Sequence, residues 1–256
     1  MQLSQQVFGL LYNVLFFYEL YRAEELETNE RPKSQNVLDI WILGKLDELT
    51  ELMTKSMDNY KLLEPVRALR DFIGDLSTWY LRRSRDRIKD GDIEARRTLY
   101  FVLKNTAKLM APFAPFTAEN VWLKLKVKEN KESIHLTNWP DLSEIDTDLI
   151  ETMEQARNIV SLGLEARQKA GVKVRQPLQK LKVKAEALSV EYAEVIFLEL
   201  NVKEILFNQQ DIINEVELDL NITEELKLEG DYRELLRAIQ DLRKTEGLMP
   251  SDPISL

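Results

Sequence analysis

The strongest constraint on the fold is a repeating apolar stripe. Leu38, Ile42, Leu46, Leu49, Met53, Met57 and Tyr60 recur at steps of three and four residues, the spacing that gathers side chains on one face of an α-helix. Val66, Leu69, Ile73, Leu76 and Tyr80 repeat the pattern in a stretch that opens near Glu64, with Pro65 in a first turn where a missing N–H costs little. Upstream, residues 3–26 read as another helix. Downstream, a helix begins after Gly91 with Asp92 as its N-cap and ends before Pro112, and Pro115 opens a shorter one running through Trp122. Helices of this length on short links pack as an antiparallel bundle. A sixth helix is expected over residues 146–170, stopped by Gly171. Beyond it the period changes: residues 178–183 alternate like a strand, 190–200 return to helical spacing, and 202–207 are strand-like again. If both strands share a sheet, they form a β-α-β unit with a right-handed crossover. Val216, Leu218 and Leu220 mark a third strand and residues 232–246 a last helix. The expected fold class is therefore mainly α. An antiparallel helical bundle occupies residues 1–143, and a long helix with a small mixed α/β subdomain occupies 144–256.

Composition narrows the chemistry. Among 256 residues there is no Cys and a single His, which removes disulfides and the usual zinc ligands, so no metal site is expected. The apolar run at residues 7–17 is broken by Gly9, Tyr12 and Asn13 and is too short for a membrane span. No basic segment precedes it as in a signal peptide. A soluble, cytoplasmic chain without a membrane partner is expected. The net charge of −9 argues against a polyanionic partner, but local field decides where a polyanion docks. Residues 186–231 hold 13 Asp and Glu against 2 Lys, leaving the remainder at +2. Within that remainder, residues 79–89 carry +4 and residues 157–184 carry +7.

The first basic stretch places Arg82, Arg83, Arg85 and Arg87 beside Trp79 and Tyr80. Guanidinium groups grip phosphate in pairs of hydrogen bonds, and aromatic faces stack unpaired bases. A helix end whose dipole welcomes cations, with the aromatics in the core, accounts for the composition equally well; Tyr80, on the apolar stripe, is expected in the core. The second stretch reads either as a nucleic-acid surface or as a solvated helix end with Lys180, Lys182 and Lys184 on the open face of a strand, and composition leans to the latter.

Trp79, Tyr80, Leu81, Arg82, Arg83, Ser84, Arg85, Asp86 and Arg87 resemble the W-Y-x-R-R-S-R-D-R stretch of isoleucyl-tRNA synthetases, members of the class I aminoacyl-tRNA synthetases. Four further segments agree in order: LDIWIL at residues 38–43, MAPFAPF at 110–116, SIHLTNWP at 133–140, and ARQKAGVKVRQPL at 166–178. The similarity runs from about Val7 to Ile254. The valine and leucine enzymes share the Trp41 and Pro112 motifs but lack the arginine run and the turn at Arg175, Gln176, Pro177 and Leu178. The resemblance implies the anticodon-binding part of an isoleucine–tRNA ligase, with tRNA, its isoleucine acceptor in particular, and the remaining domains of the parent synthetase as partners. It implies tRNA contacts at Trp79, Arg82, Arg83, Arg85 and Arg87, and further contacts at Arg167, Lys169, Lys173 and Arg175. Base reading by Asn13, beside Tyr12, is a further candidate. The rival readings are the corresponding module of the valine or leucine enzyme, and a helical protein–protein scaffold whose arginines pair with acidic surfaces.

The two class I signatures for adenylate formation are not found. One His excludes the first, and residues 52–56 (LMTKS) only mimic the second, because Met53 belongs to the apolar stripe of a helix. No catalytic residue and no cofactor are expected in this chain, ATP being consumed by the catalytic domain of the parent enzyme. His135, between Ile134 and Leu136 without a partner nucleophile, is expected to be structural. The zinc-binding cysteines found near the C-terminus of many family members are missing as well.

Overall fold

The computed structural model describes residues 2–23, 26–127 and 131–248. The chain divides into two compact units, Met1–Ile150 and Glu151–Leu256.

The first unit is helical. Helix α1 (Gln2–Leu20) is followed by α2 (Val37–Asp58), α3 (Leu63–Asp75), a π-helical turn (Leu76–Leu81), α4 (Arg82–Lys89), α5 (Ile93–Met110) and α6 (Pro115–Leu125), with a short 3-10 turn at Ile134–Leu136. Most of the stripe read from the sequence is core: Leu38, Ile42, Leu46, Leu49 and Met53 are buried, joined by Trp41, Leu69, Ile73, Leu76 and Tyr80, whereas Tyr60 past the end of α2 and Val66 in the first turn of α3 are exposed. Asp92 caps α5 as the sequence marks, and Asn36 adds a cap that the sequence reading did not name. Asn36 accepts from Leu38 N at the start of α2, and Asp92 accepts from Ala95 N at the start of α5. Helix α1 stops at Leu20, short of the expected Leu26, as the chain turns back and the Arg22 guanidinium grips the Glu27 carboxylate at 2.7 and 2.8 Å.

The second unit is the mixed part. Helix α7 (Thr147–Lys169) enters it, and Gly171 follows at φ +67°, a backbone that suits glycine at a helix end. Strand β1 (Leu178–Val183), helix α8 (Val190–Leu200) and strand β2 (Val202–Leu206) form a β-α-β unit with parallel strands. Strand β3 (Val216–Leu218) adds to the other edge of β1 antiparallel, giving the order β2-β1-β3. Helix α9 (Glu224–Thr245) begins eight residues before its expected start at Tyr232, because Thr223 caps it and Glu224 and Glu225 favour the positive end of its dipole. Gly230 sits within this helix because a Cβ there would collide with the Gln176 carboxamide. Among the described residues the architecture is thus mainly α with a small α/β part, and no helix is long and apolar enough to cross a membrane.

Candidate nucleic-acid interface

Helix α3, the π turn and α4 follow one another without a break, and the turn decides where the arginines point. The buried row Leu69, Ile73, Leu76 and Tyr80 would continue through Arg83 and Arg87 in an unbroken α-helix. The turn inserts one residue into that rhythm. Leu81, Ser84 and Ile88 carry the buried row onward, so Arg82 and Arg85 are exposed and Arg83 and Trp79 half-buried. Arg82 Nε donates to Thr78 O at 2.8 Å, and the Arg85 guanidinium lies 5.1 Å from the Phe17 ring centre on α1. Tyr12, Asn13 and Phe16 on α1 are exposed, Phe16 at 62%. Tyr12 and Phe16, one helical turn apart, present aromatic surface on the helix that Arg85 reaches. The sequence reading named Tyr12 and Asn13 without a direction and missed Phe16. The step of four from Tyr12 to Phe16, offset from the buried Leu11, Val14, Leu15 and Tyr18, was the available signal.

Arg87 departs from the expected footprint, because it turns inward. It bonds the fully buried Asp39 through Nη1 at 3.2 Å and Nη2 at 2.8 Å, and Asp92 through Nε at 3.0 Å. Asp39 also accepts from Tyr80 Oη at 2.9 Å and Ser34 Oγ at 2.6 Å. Burial and then the facing Asp39 carboxylate push the Tyr80 phenol well above its ordinary pKa, so it remains a donor. Burial disfavours the Arg87 cation, but the hydrogen bonds and charges of Asp39 and Asp92 outweigh it and raise its pKa. The motif at residues 38–43 and the motif at 79–87 are two halves of one interior ion-pair network.

In the second unit Arg167 also departs from the expected contact surface. It is 1% exposed, and its guanidinium donates to four backbone carbonyls: Lys173 O and Gln176 O from Nη1, Leu200 O and Asn201 O from Nη2, at 2.6–3.1 Å. Burial lowers its pKa to about 10, which leaves it charged at neutral pH. Gln176 serves the same assembly, donating to Leu226 O at 2.7 Å. Of the other expected contacts, Lys169 is exposed and pairs with Glu165 at 2.6 Å, while Lys173 and the half-buried Arg175 share Glu234 at 3.6 and 3.4 Å. Lys180 faces Glu204 on β2, and Lys182 faces Glu217 on β3.

Other motif residues of the first unit make contacts within it, although His135, expected to be structural, is exposed. Glu119 Oε2 accepts from Ser133 Oγ and Ile134 N, holding the turn that carries the exposed His135. Trp139 Nε1 donates to Thr54 Oγ1 at 2.9 Å. Thr54 lies in the LMTKS segment, whose Met53 is fully buried in α2. Among the described residues no group of three or more His, Cys, Asp or Glu is placed to hold a metal ion.

The chain belongs to the family described as the anticodon-binding domain of tRNA ligase, matched over residues 39–183, from the buried Asp39 to the end of β1. Among curated relatives it is similar to the isoleucine–tRNA ligase of Clostridium kluyveri, with 31% identity over 347 aligned positions that take in 99% of this chain and 34% of that protein. It is 40% identical over 218 positions to the enzyme of the same name from Clostridium novyi, covering 80% of this chain and 21% of that protein. The corresponding protein of Streptomyces coelicolor is 39% identical over 203 positions, 75% of this chain and 19% of that protein. The chain therefore spans about a third or less of the length of these relatives.

Proposed function

We propose that this chain is the tRNA-binding, anticodon-arm module of an isoleucine–tRNA ligase, supporting the ATP-dependent attachment of isoleucine carried out by the rest of that enzyme. The observation that carries the reading is the placing of arginines near exposed aromatic surface: the exposed Arg82 and Arg85 and the half-buried Arg83 and Trp79, with Tyr12, Asn13 and Phe16 exposed on the helix that Arg85 touches. Guanidinium groups set the register of the RNA through its phosphates, and aromatic faces with an amide suit unstacked bases and their edges. Arg87 and Arg167 leave the footprint, each committed to the interior. Lys169, Lys173 and Arg175 remain as a second, weaker surface whose charges are shared with Glu165 and Glu234.

The test is a titration of purified tRNA at several salt concentrations. Arg82→Gln with Arg83→Gln is expected to weaken binding and to flatten the log–log salt slope by roughly 0.7–0.9 per lost phosphate contact, with helicity unchanged. A folded double variant with unchanged affinity and slope overturns the footprint. Competition among purified isoleucine, valine and leucine tRNAs tests the specificity, and equal competition by all three overturns the isoleucine assignment. Isoleucine-dependent pyrophosphate exchange by the chain alone is expected to stay at the blank level.

A further inference from the structure

Helix α9 carries its apolar residues on the side turned away from its own unit. Its inner side meets the unit at Leu226 and Gly230, both buried, and through polar contacts. Gln176 donates to Leu226 O at 2.7 Å, Lys203 pairs with Glu229 at 2.7 Å, and Arg233 donates to Asn201 Oδ1. Leu228, Tyr232, Leu235, Ile239 and Leu242 follow one another along the helix at alternating steps of four and three. At about 100° per residue they form a stripe nearly opposite Leu226, Gly230 and Arg233. Leu228 is 68% exposed, Tyr232 60%, Leu235 59% and Leu242 63%, with Ile239 half-buried between them. Single exposed leucines are ordinary, but a continuous stripe marks a surface that meets a partner. Alternating steps of four and three are those of a coiled-coil seam, so the partner that fits is another helix.

The charges on α9 choose among helices. Its first turn holds Glu224 and Glu225, with Asp231 two turns in, and its last turn holds Arg243 and Lys244. A copy of the same helix laid antiparallel sets the acidic end of each against the basic end of the other and aligns their dipoles favourably. The acidic first turns disfavour RNA phosphates and an anionic membrane as occupants. We infer that the stripe on α9 is a self-association surface, which pairs with α9 of a second copy of this chain in an antiparallel, two-fold arrangement. The seam is short, so the dimer is expected to be weak and to form in the micromolar range. The inference does not rest on RNA binding.

Sedimentation of the full chain over a concentration series tests this, and a reversible rise from one chain to two is expected. Leu235→Glu puts a charge in the middle of the seam and should raise the dissociation constant roughly ten- to a hundred-fold. Leu235 is exposed in the single chain, so the fold should survive, which circular dichroism checks. Arg243→Glu with Lys244→Glu sets acid against acid and should weaken pairing several-fold at low salt. The chain has no Cys, so one introduced thiol reports on orientation by itself. Leu235→Cys, at the middle of the stripe, lies near the two-fold axis and should couple to its counterpart through a short bis-maleimide. Thr245→Cys should not, because antiparallel pairing holds the two copies of that position roughly 30 Å apart. A chain that stays single up to millimolar concentration overturns the proposal and leaves the stripe to a partner other than a second copy. A folded Leu235→Glu chain that pairs with unchanged affinity overturns the surface. Unchanged pairing of the Arg243 and Lys244 variant overturns the charge match. Coupling through Thr245→Cys as readily as through Leu235→Cys overturns the antiparallel arrangement.

Discussion

Two stretches of this chain are basic in sequence, residues 79–89 and 157–184, and the fold uses them in opposite ways. The first stretch leaves Arg82 and Arg85 exposed and Arg83 half-buried, while Arg87 reaches inward to the buried Asp39. The second commits its best-placed arginine, Arg167, to four carbonyls and shares most of its remaining charges with Glu165, Glu234, Glu204, Glu217 and Asp211. The second stretch has the higher net charge, yet its Arg167 is 1% exposed. What a basic segment offers to RNA is set by which cations the fold has already consumed.

The largest effect should come from Arg167. Replacing it by Met leaves buried carbonyls unpaired and should cost about 3–5 kcal/mol in urea unfolding of the second unit. Folded Arg167→Met chain that binds tRNA more weakly at matched stability would erase the contrast between the two stretches. Next is Arg87→Met, which strands the buried Asp39 carboxylate and should cost about 3 kcal/mol. A cost within ~0.5 kcal/mol, the usual size for an open surface position, would return Arg87 to the outward set. Asp92 gives a smaller, pH-dependent effect. Burial raises its carboxyl, but the bond from Ala95 N and then those of Arg87 outweigh it, so the pKa lies below the ordinary value. A depressed acid stabilises the fold above its unfolded pKa and loses that contribution as pH falls through the folded one. The stability gap between the unsubstituted chain and Asp92→Asn should therefore be widest near neutrality and close in acid; a gap constant from pH 7 down to pH 3 would contradict this. The smallest effect belongs to Lys180→Gln and Lys182→Gln, each expected to change stability by less than ~1 kcal/mol, because these pairs are solvent-exposed. A marked loss of tRNA affinity in either would restore the strand face to the interface.

The helices were legible because an apolar stripe at steps of three and four records one buried face, Asp92 caps the start of α5, and Pro115 opens α6 where a missing N–H costs nothing. The change to strand period after Gly171 was legible for the same reason. Partners far apart in the chain were not. Asp39 and Arg87 are separated by 48 residues, and neither segment carries a mark of the other. Arg167 stands among polar neighbours on α7, and its burial depends on carbonyls from α8 and the turn before β1. The early start of α9 was hidden by Gly230, whose presence within a helix makes sense only once Gln176 is seen beside it.

The π turn at Leu76–Leu81 also fixes how substitutions in this region must be designed. A helical wheel advances about 100° per residue, and a single wheel phased on Leu69 and Ile73 would put Arg87 at the centre of the buried face and Ile88 at its edge. The observed burial is the reverse, with Ile88 inside and the arginines displaced to the flank and the outside. Two wheels, phased separately on Leu76 and Leu81, are needed to know which side of the rod a new side chain will occupy. Removing one residue from the turn would give a single phase in which Leu81, Ser84 and Ile88 keep the buried side and Arg82 and Arg85 stay outside it.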